Sequence, residues 1–111
     1  MRELDRISGT IAGRIMSFIH GTNVYRETAI INGINFDDVA ESVKAKMRGS
    51  RTEVEIEIND VVFRIPFRKN HLMLDREVWN IDNIVDIQRM LRYLQDKVVN
   101  QYTLIAAAGT L

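Results

Sequence analysis

The chain has 111 residues, 46% of them apolar and 27% charged, which bounds it to one domain (1–111) with a modest core. Fifteen bases balance fifteen acids, so no net charge steers it toward a polyanion, and any such binding needs a local patch. Cysteine is absent, which excludes disulfides, thiolate metal sites and cysteine nucleophiles and fits a cytoplasmic setting.

No apolar run approaches the ~18 residues that a membrane span needs, and residues 1–7, MRELDRI, mix acids and bases instead of opening a secretory leader. No membrane association is expected. Of the fifteen bases eleven are arginine, the cation that pairs bidentately with carboxylates and phosphates.

At about 100° per residue, Leu4, Ile7, Ile11, Ile15, Phe18 and Ile19 fall on one side of a helix, edged by Ala12 and Met16. Arg2, Glu3, Arg6, Thr10, Arg14, Ser17 and His20 take the other side, and Gly21 is placed for a left-handed cap. The rival for residues 7–19 is a strand, because spacing by four fits period two as well, and two interior glycines disfavour a helix. A strand, however, would set Thr10 and Arg14 beside Met16 and Phe18, so the helix is favoured. Gly9, Gly13 and Ser17 form a small-residue series on the polar side. With no glycine-lysine pair after it, this is no phosphate loop; it reads as tolerated surface glycine or as a seam where a second copy packs.

Residues 24–36 look extended, with Asn32-Gly33 as a hairpin turn. A middle helix follows, capped by Asn35 or Asp37. Its apolar stripe is Val39, Val43 and Met47 with Ala40, and Gly49 ends it. The clearest element is a β-hairpin over 52–67 turning at Asn59-Asp60. Its register sets Ile58 against Val61, Ile56 against Phe63 and Val54 against Ile65, with Glu55 against Arg64 on the other side. Pro66 places the end of the second strand at a sheet edge. Residues 68–79 read as irregular. A long helix then runs from about Asn80 toward Ala108 on a stripe of Ile84, Ile87, Leu91, Leu94, Val98, Tyr102 and Ile105, flanked by Met90. Val85, Val99 and Leu104 interrupt its polar side, an apolar excess that suggests contact with another subunit.

The expected fold is therefore α+β: a small antiparallel sheet, the 52–67 hairpin with a further strand at 28–31, packed by an N-terminal, a middle and a long C-terminal helix.

The bases supply the best candidate chemistry. Lys44, Lys46, Arg48 and Arg51 close the expected middle helix, and Arg64, Arg68 and Lys69 extend from the hairpin. If helix end and strand end meet, these seven make an anion-binding patch, with Phe67 or Tyr25 available to stack bases of a single strand. Glu53, Glu55 and Glu57 would neutralise much of it. A second arrangement joins Arg14, Arg89 and Arg92 around a phosphate or carboxylate between subunits. Neither His20 nor His71 carries metal-ligand spacing, and no metal or cofactor is expected. His71 with Asp75 or Glu77 allows acid–base chemistry only if the fold brings them together.

No motif identifies a family. Size, lack of cysteine and absence of a catalytic signature resemble those of small accessory proteins, including many carried by phages. The sequence favours a non-enzymatic binding or assembly protein that acts through protein–protein contacts as a homo-oligomer. The alternatives are a module for nucleic acid or a phosphate-bearing ligand such as a nucleotide, and an unrecognised hydrolase or isomerase.

Overall fold

A computed structural model describes residues 2–20, 30–31 and 33–109, with side chains placed for 2–18 and 33–100. In chain order the elements are α1 (Arg2–His20), β1 (Ile30–Ile31), β2 (Ile34–Asn35), α2 (Phe36–Ser42), β3 (Lys44–Arg48), β4 (Arg51–Ile58), β5 (Val61–Arg68), β6 (His71–Leu74), β7 (Glu77–Asn80) and α3 (Ile84–Gly109). The architecture is α+β, as expected: β3 to β7 form an antiparallel meander in sequence order, and the three helices pack on it.

The helical reading of the first segment holds. Ile7, Ile11 and Ile15 recur every four residues along α1 and are fully buried, while Leu4, Ala12, Met16 and Phe18 flank them half-buried. The expected cap at Gly21 and the extended stretch before Ile30 lie outside the described residues. Ser8 ties this helix to the sheet: its hydroxyl donates to the Leu4 carbonyl (3.0 Å) and accepts from the Ala45 N–H (2.8 Å).

Ile30 and Ile31 pair with Asn35 and Ile34, and Gly33 takes φ 77° in the turn between them. The extra strand expected at 28–31 thus exists in part, but it makes a separate two-stranded ribbon and does not join the main sheet. Asn35 caps α2, its Oδ1 accepting from the Asp37 and Asp38 N–H groups at 3.0 and 3.3 Å.

The middle helix is much shorter than the sequence suggests. It ends at Ser42, and residues 44–48 are a strand. The stripe Val39, Val43, Met47 is spaced by four, which suits both periods. Pairing of β3 with β4 decides the matter, because Lys44 and Lys46 then stand opposite Glu55 and Glu53. Gly49, at φ 66°, makes the two-residue turn.

The 52–67 hairpin forms in the expected register, with Asn59 and Asp60 in the left-handed conformations of its turn (φ 48° and 69°). Val54, Ile56, Ile58 and Ile65 are fully buried beneath the helices; Val61 and Phe63 pack half-buried beside them. Each such aliphatic side chain contributes about 1.5–3 kcal/mol relative to exposure.

Residues 68–79 are a second hairpin and not irregular chain. Lys69 and Asn70 turn the chain at φ 50° and 66°, and β6 and β7 follow with Leu72 opposite Trp79, both fully buried. Pro66 therefore lies within the sheet and not at its edge. It nevertheless limits the pairing: β5 and β6 share only Arg68↔His71 and Phe67↔Leu72, and the next step would need the N–H that proline lacks.

The last helix begins at Ile84, later than expected. Asn83 caps it, its Oδ1 accepting from Val85 and Asp86 N–H at 2.9 and 3.3 Å. Ile87, Met90, Leu91, Leu94 and Val98 form its buried stripe. No described helix is long and apolar enough to cross a membrane.

Candidate functional site

All helices cover one side of the meander, so strand alternation places every second side chain on a bare side. On that side the ladder pairs build rows across the strands. At one end Arg48 stands opposite Arg51, and Arg68 stands opposite His71. The β4–β5 ladder runs to Thr52↔Phe67, one step short of Arg51 and Arg68. Four basic side chains thus form a row across four adjacent strands. The next row holds Lys46, Glu53 and Pro66, and the one after it Lys44, Glu55 and Arg64. At the far end Glu57 faces Val62. The bare side is therefore basic at the turns near residues 50 and 70, while at the turn near 60 Glu57 and Asp60 meet Asp38 of α2 around a depression of about 230 Å³ at the end of the sheet.

The middle rows neutralise themselves. Glu55 Oε2 receives Lys46 Nζ at 2.7 Å and Arg64 Nε at 3.3 Å. The lysine hydrogen bond first, and then the arginine, hold the Glu55 carboxyl below its ordinary value. Arg48 Nη1 reaches Glu53 Oε1 at 3.5 Å. No acid pairs with Arg51, Arg68 or Lys69 among the described residues.

Those three cations line a groove of about 640 Å³ with Ser50, Thr52, Pro66, Phe67 and Met73. Its origin is the parting of β5 and β6 at Pro66. The turn that carries Lys69 is braced from the next connection: Asn70 Nδ2 donates to Asn80 Oδ1 and, in a short contact, to Asp82 Oδ2, and the Asn70 carbonyl accepts from Ile81 N–H at 3.0 Å. His71 Nδ1 lies 2.7 Å from the Lys69 carbonyl, an acceptor, so this nitrogen carries the proton. The result is a row of positive charge beside Pro66 and Met73, whereas Phe67, opposite Thr52 and Leu72, is turned by strand alternation toward the covered side and packs against the core.

The seven cations of the sequence-derived patch, Lys44, Lys46, Arg48, Arg51, Arg64, Arg68 and Lys69, thus stand on one face or its end turn, although on strands and not at a helix end. Arg14, Arg89 and Arg92 are placed differently. Arg14 Nε donates to the Ile81 carbonyl (3.3 Å) and Nη2 lies 3.6 Å from Asp82, which joins α1 to the corner before α3. Arg89 pairs with Asp86 at 3.1 Å, and Arg92 is exposed. Gly9, Gly13 and Ser17 are exposed, with open space where each glycine's Cβ would stand. Val85 and Val99 are 56% and 45% exposed, and the Leu104 side chain lies outside the described residues.

The possible acid–base partners are apart. His71 opens β6, whereas Asp75 lies in the turn that closes it, roughly 13 Å along the chain direction. Asp75 is engaged by Lys97 Nζ at 2.8 Å and by the Tyr93 hydroxyl, and Glu77 stands opposite Leu74.

Sequence reasoning named the cations but missed Pro66 and Met73 as groove residues and missed the arginine row. A proline inside a strand three residues before a Lys-Asn turn was the available sign. No family model matches the sequence, and no curated protein or solved structure is significantly similar to it.

Proposed function

We propose that this protein is non-enzymatic and acts by binding, with the basic end of its bare sheet side as the docking surface for an anionic partner. The observation that supports this is the row Arg48, Arg51, Arg68 and His71. Like charges directly opposite across strands cost stability. Acids neutralise the neighbouring rows but leave Arg51 and Arg68 unmatched among the described residues. An external anion removes that repulsion and gains charge-assisted hydrogen bonds from guanidinium groups. Retention on a heparin column tests the reading: the native protein is held at low salt, and the double variant Arg51→Gln/Arg68→Gln elutes markedly earlier. Equal elution of the two contradicts it.

Self-association is a second reading, supported by Val85 and Val99. They are fourteen residues apart, within about 40° of each other around α3, and both are exposed on the side away from its buried stripe. Sedimentation across a concentration series checks this. Dimer that is lost in Val85→Lys/Val99→Lys supports it, and monomer throughout removes it.

A further inference from the structure

We propose that anion binding at the basic row is coupled to protonation of His71, so that the docking surface tightens as pH falls. This rests on the docking surface proposed above and adds its regulation. Three observations lead to it.

First, His71 belongs to the row. It stands directly opposite Arg68, and strand alternation puts both side chains on the bare side. With Arg68, Lys69, Met73 and Val78 it lines a depression of about 410 Å³, which shares Arg68, Lys69 and Met73 with the larger groove. An anion seated on the shared cations therefore lies beside the imidazole. Second, the tautomer is set. Nδ1 donates to the Lys69 carbonyl at 2.7 Å, so Nε2 is the nitrogen that gains and loses a proton. Neutral, Nε2 is an acceptor and gives an anion no donor; protonated, it is a charged donor. It has no partner among the described residues. Third, no described carboxylate is free to hold that charge. The groups that face His71 are Arg68 on β5, Lys69 in the turn and Asn80 on β7. Asn80 is uncharged, and its Oδ1 accepts from the Asp82 N–H at 2.8 Å. The Asp82 carboxylate is taken by Arg14 and Asn70, and that of Asp86 by Arg89 and the Asn80 N–H. A bound anion is then the counter-charge that favours the imidazolium. Binding takes up a proton from solvent at Nε2, and dissociation returns it.

The test uses an oligothymidylate carrying a pH-insensitive dye, because its phosphodiesters stay fully ionised between pH 8 and pH 5.5. Fluorescence anisotropy is expected to show affinity rising as pH falls across that range, by up to about tenfold, as an opposite charge beside a titrating group produces. The slope of log affinity against log salt steepens by about 0.7 at the acid end, one added phosphate contact. His71→Gln is expected to hold the affinity at its pH 8 level throughout. His71→Lys, with a permanent charge, holds it near the pH 5.5 level. A merely structural role for the ring does not produce this opposite pair, and either variant suffices if the other fails to fold. His20→Gln, the control for the only other histidine, leaves the pH dependence in place. If affinity is the same at both ends of the range, or its rise survives in either His71 variant, the proton coupling is overturned while the docking surface stands. If the oligonucleotide binds at no pH, both fall.

Discussion

Arg48 stands directly opposite Arg51 across the first two strands of the sheet, two like charges in one ladder pair. Arg48 has Glu53 within reach; Arg51 has no acid partner among the described residues. Replacing Arg51 by glutamine keeps a strand-compatible side chain and removes the repulsion. The expected result is stabilisation by a few tenths of a kcal/mol, within the roughly 0.2–1 kcal/mol range of cross-strand pairs, with weaker polyanion binding. Urea denaturation checks the first effect and heparin elution the second. A loss of stability on this substitution would show that Arg51 has a structural partner.

Glu55 holds two cations, Lys46 and Arg64, and thereby screens the middle of the bare side. Removing its charge frees both. Glu55→Gln is expected to raise affinity for oligothymidylate several-fold at low salt, and to lower the melting temperature slightly, because the pairs are solvent-accessible and worth little. The gain in affinity shrinks as salt rises. Unchanged affinity at low salt would mean that the ligand does not sense this face.

Asp75 links the last hairpin to α3, receiving Lys97 and the Tyr93 hydroxyl, while Lys97 also lies 5.1 Å from the centre of the Tyr93 ring. The hydrogen bond from Lys97, and then that from Tyr93, keep the Asp75 carboxyl below its ordinary value. The same contact raises both Lys97 and Tyr93 above theirs. A depressed acid stabilises fully above its unfolded value and loses that contribution as pH falls through the folded one. The stability advantage of the native protein over Asp75→Asn is therefore expected to be flat through neutral pH and to shrink below about pH 4. Raised bases behave oppositely, so the advantage shrinks again above about pH 10 as Tyr93 and Lys97 deprotonate. Melting curves of the two proteins across pH check this; a difference that stays constant from pH 3 to pH 11 contradicts it.

Trp79 is the one tryptophan, fully buried, with its ring 5.5 Å from that of Tyr93. Its Nε1 has no hydrogen-bond partner among the described residues. Trp79→Ala leaves a large cavity and is expected to cost about 3–5 kcal/mol. Trp79→Phe costs distinctly less, since it removes an unsatisfied buried donor along with part of the volume. Denaturation of the two variants, followed by circular dichroism, gives the order.

The hairpin over 52–67 was legible because alternation, turn chemistry and the Glu55–Arg64 pair all agree on one register. The N-terminal helix was legible because its apolar and polar residues separate by angle. The strand at 44–48 was hidden by the spacing of Val39, Val43 and Met47, which fits a helix and a strand equally; only the pairing partner resolves it. The hairpin after Arg68 was hidden because its strands are only four residues each, too short for alternation to stand out. Both omissions concealed the same thing. Arg48 and His71 enter the row only when their segments are strands, so the candidate site was readable as a set of cations but not as a line.

The central claim is that the end of the bare sheet side binds a polyanion. Titrating the isotope-labelled protein with oligothymidylate and following its backbone amides by NMR tests this most directly. The account predicts progressive, salt-sensitive shifts concentrated at Arg48, Arg51, Thr52, Phe67, Arg68, Lys69 and His71, with Glu57 and Asp60 unmoved. Shifts gathered along α3, or none at saturating oligonucleotide, would contradict it.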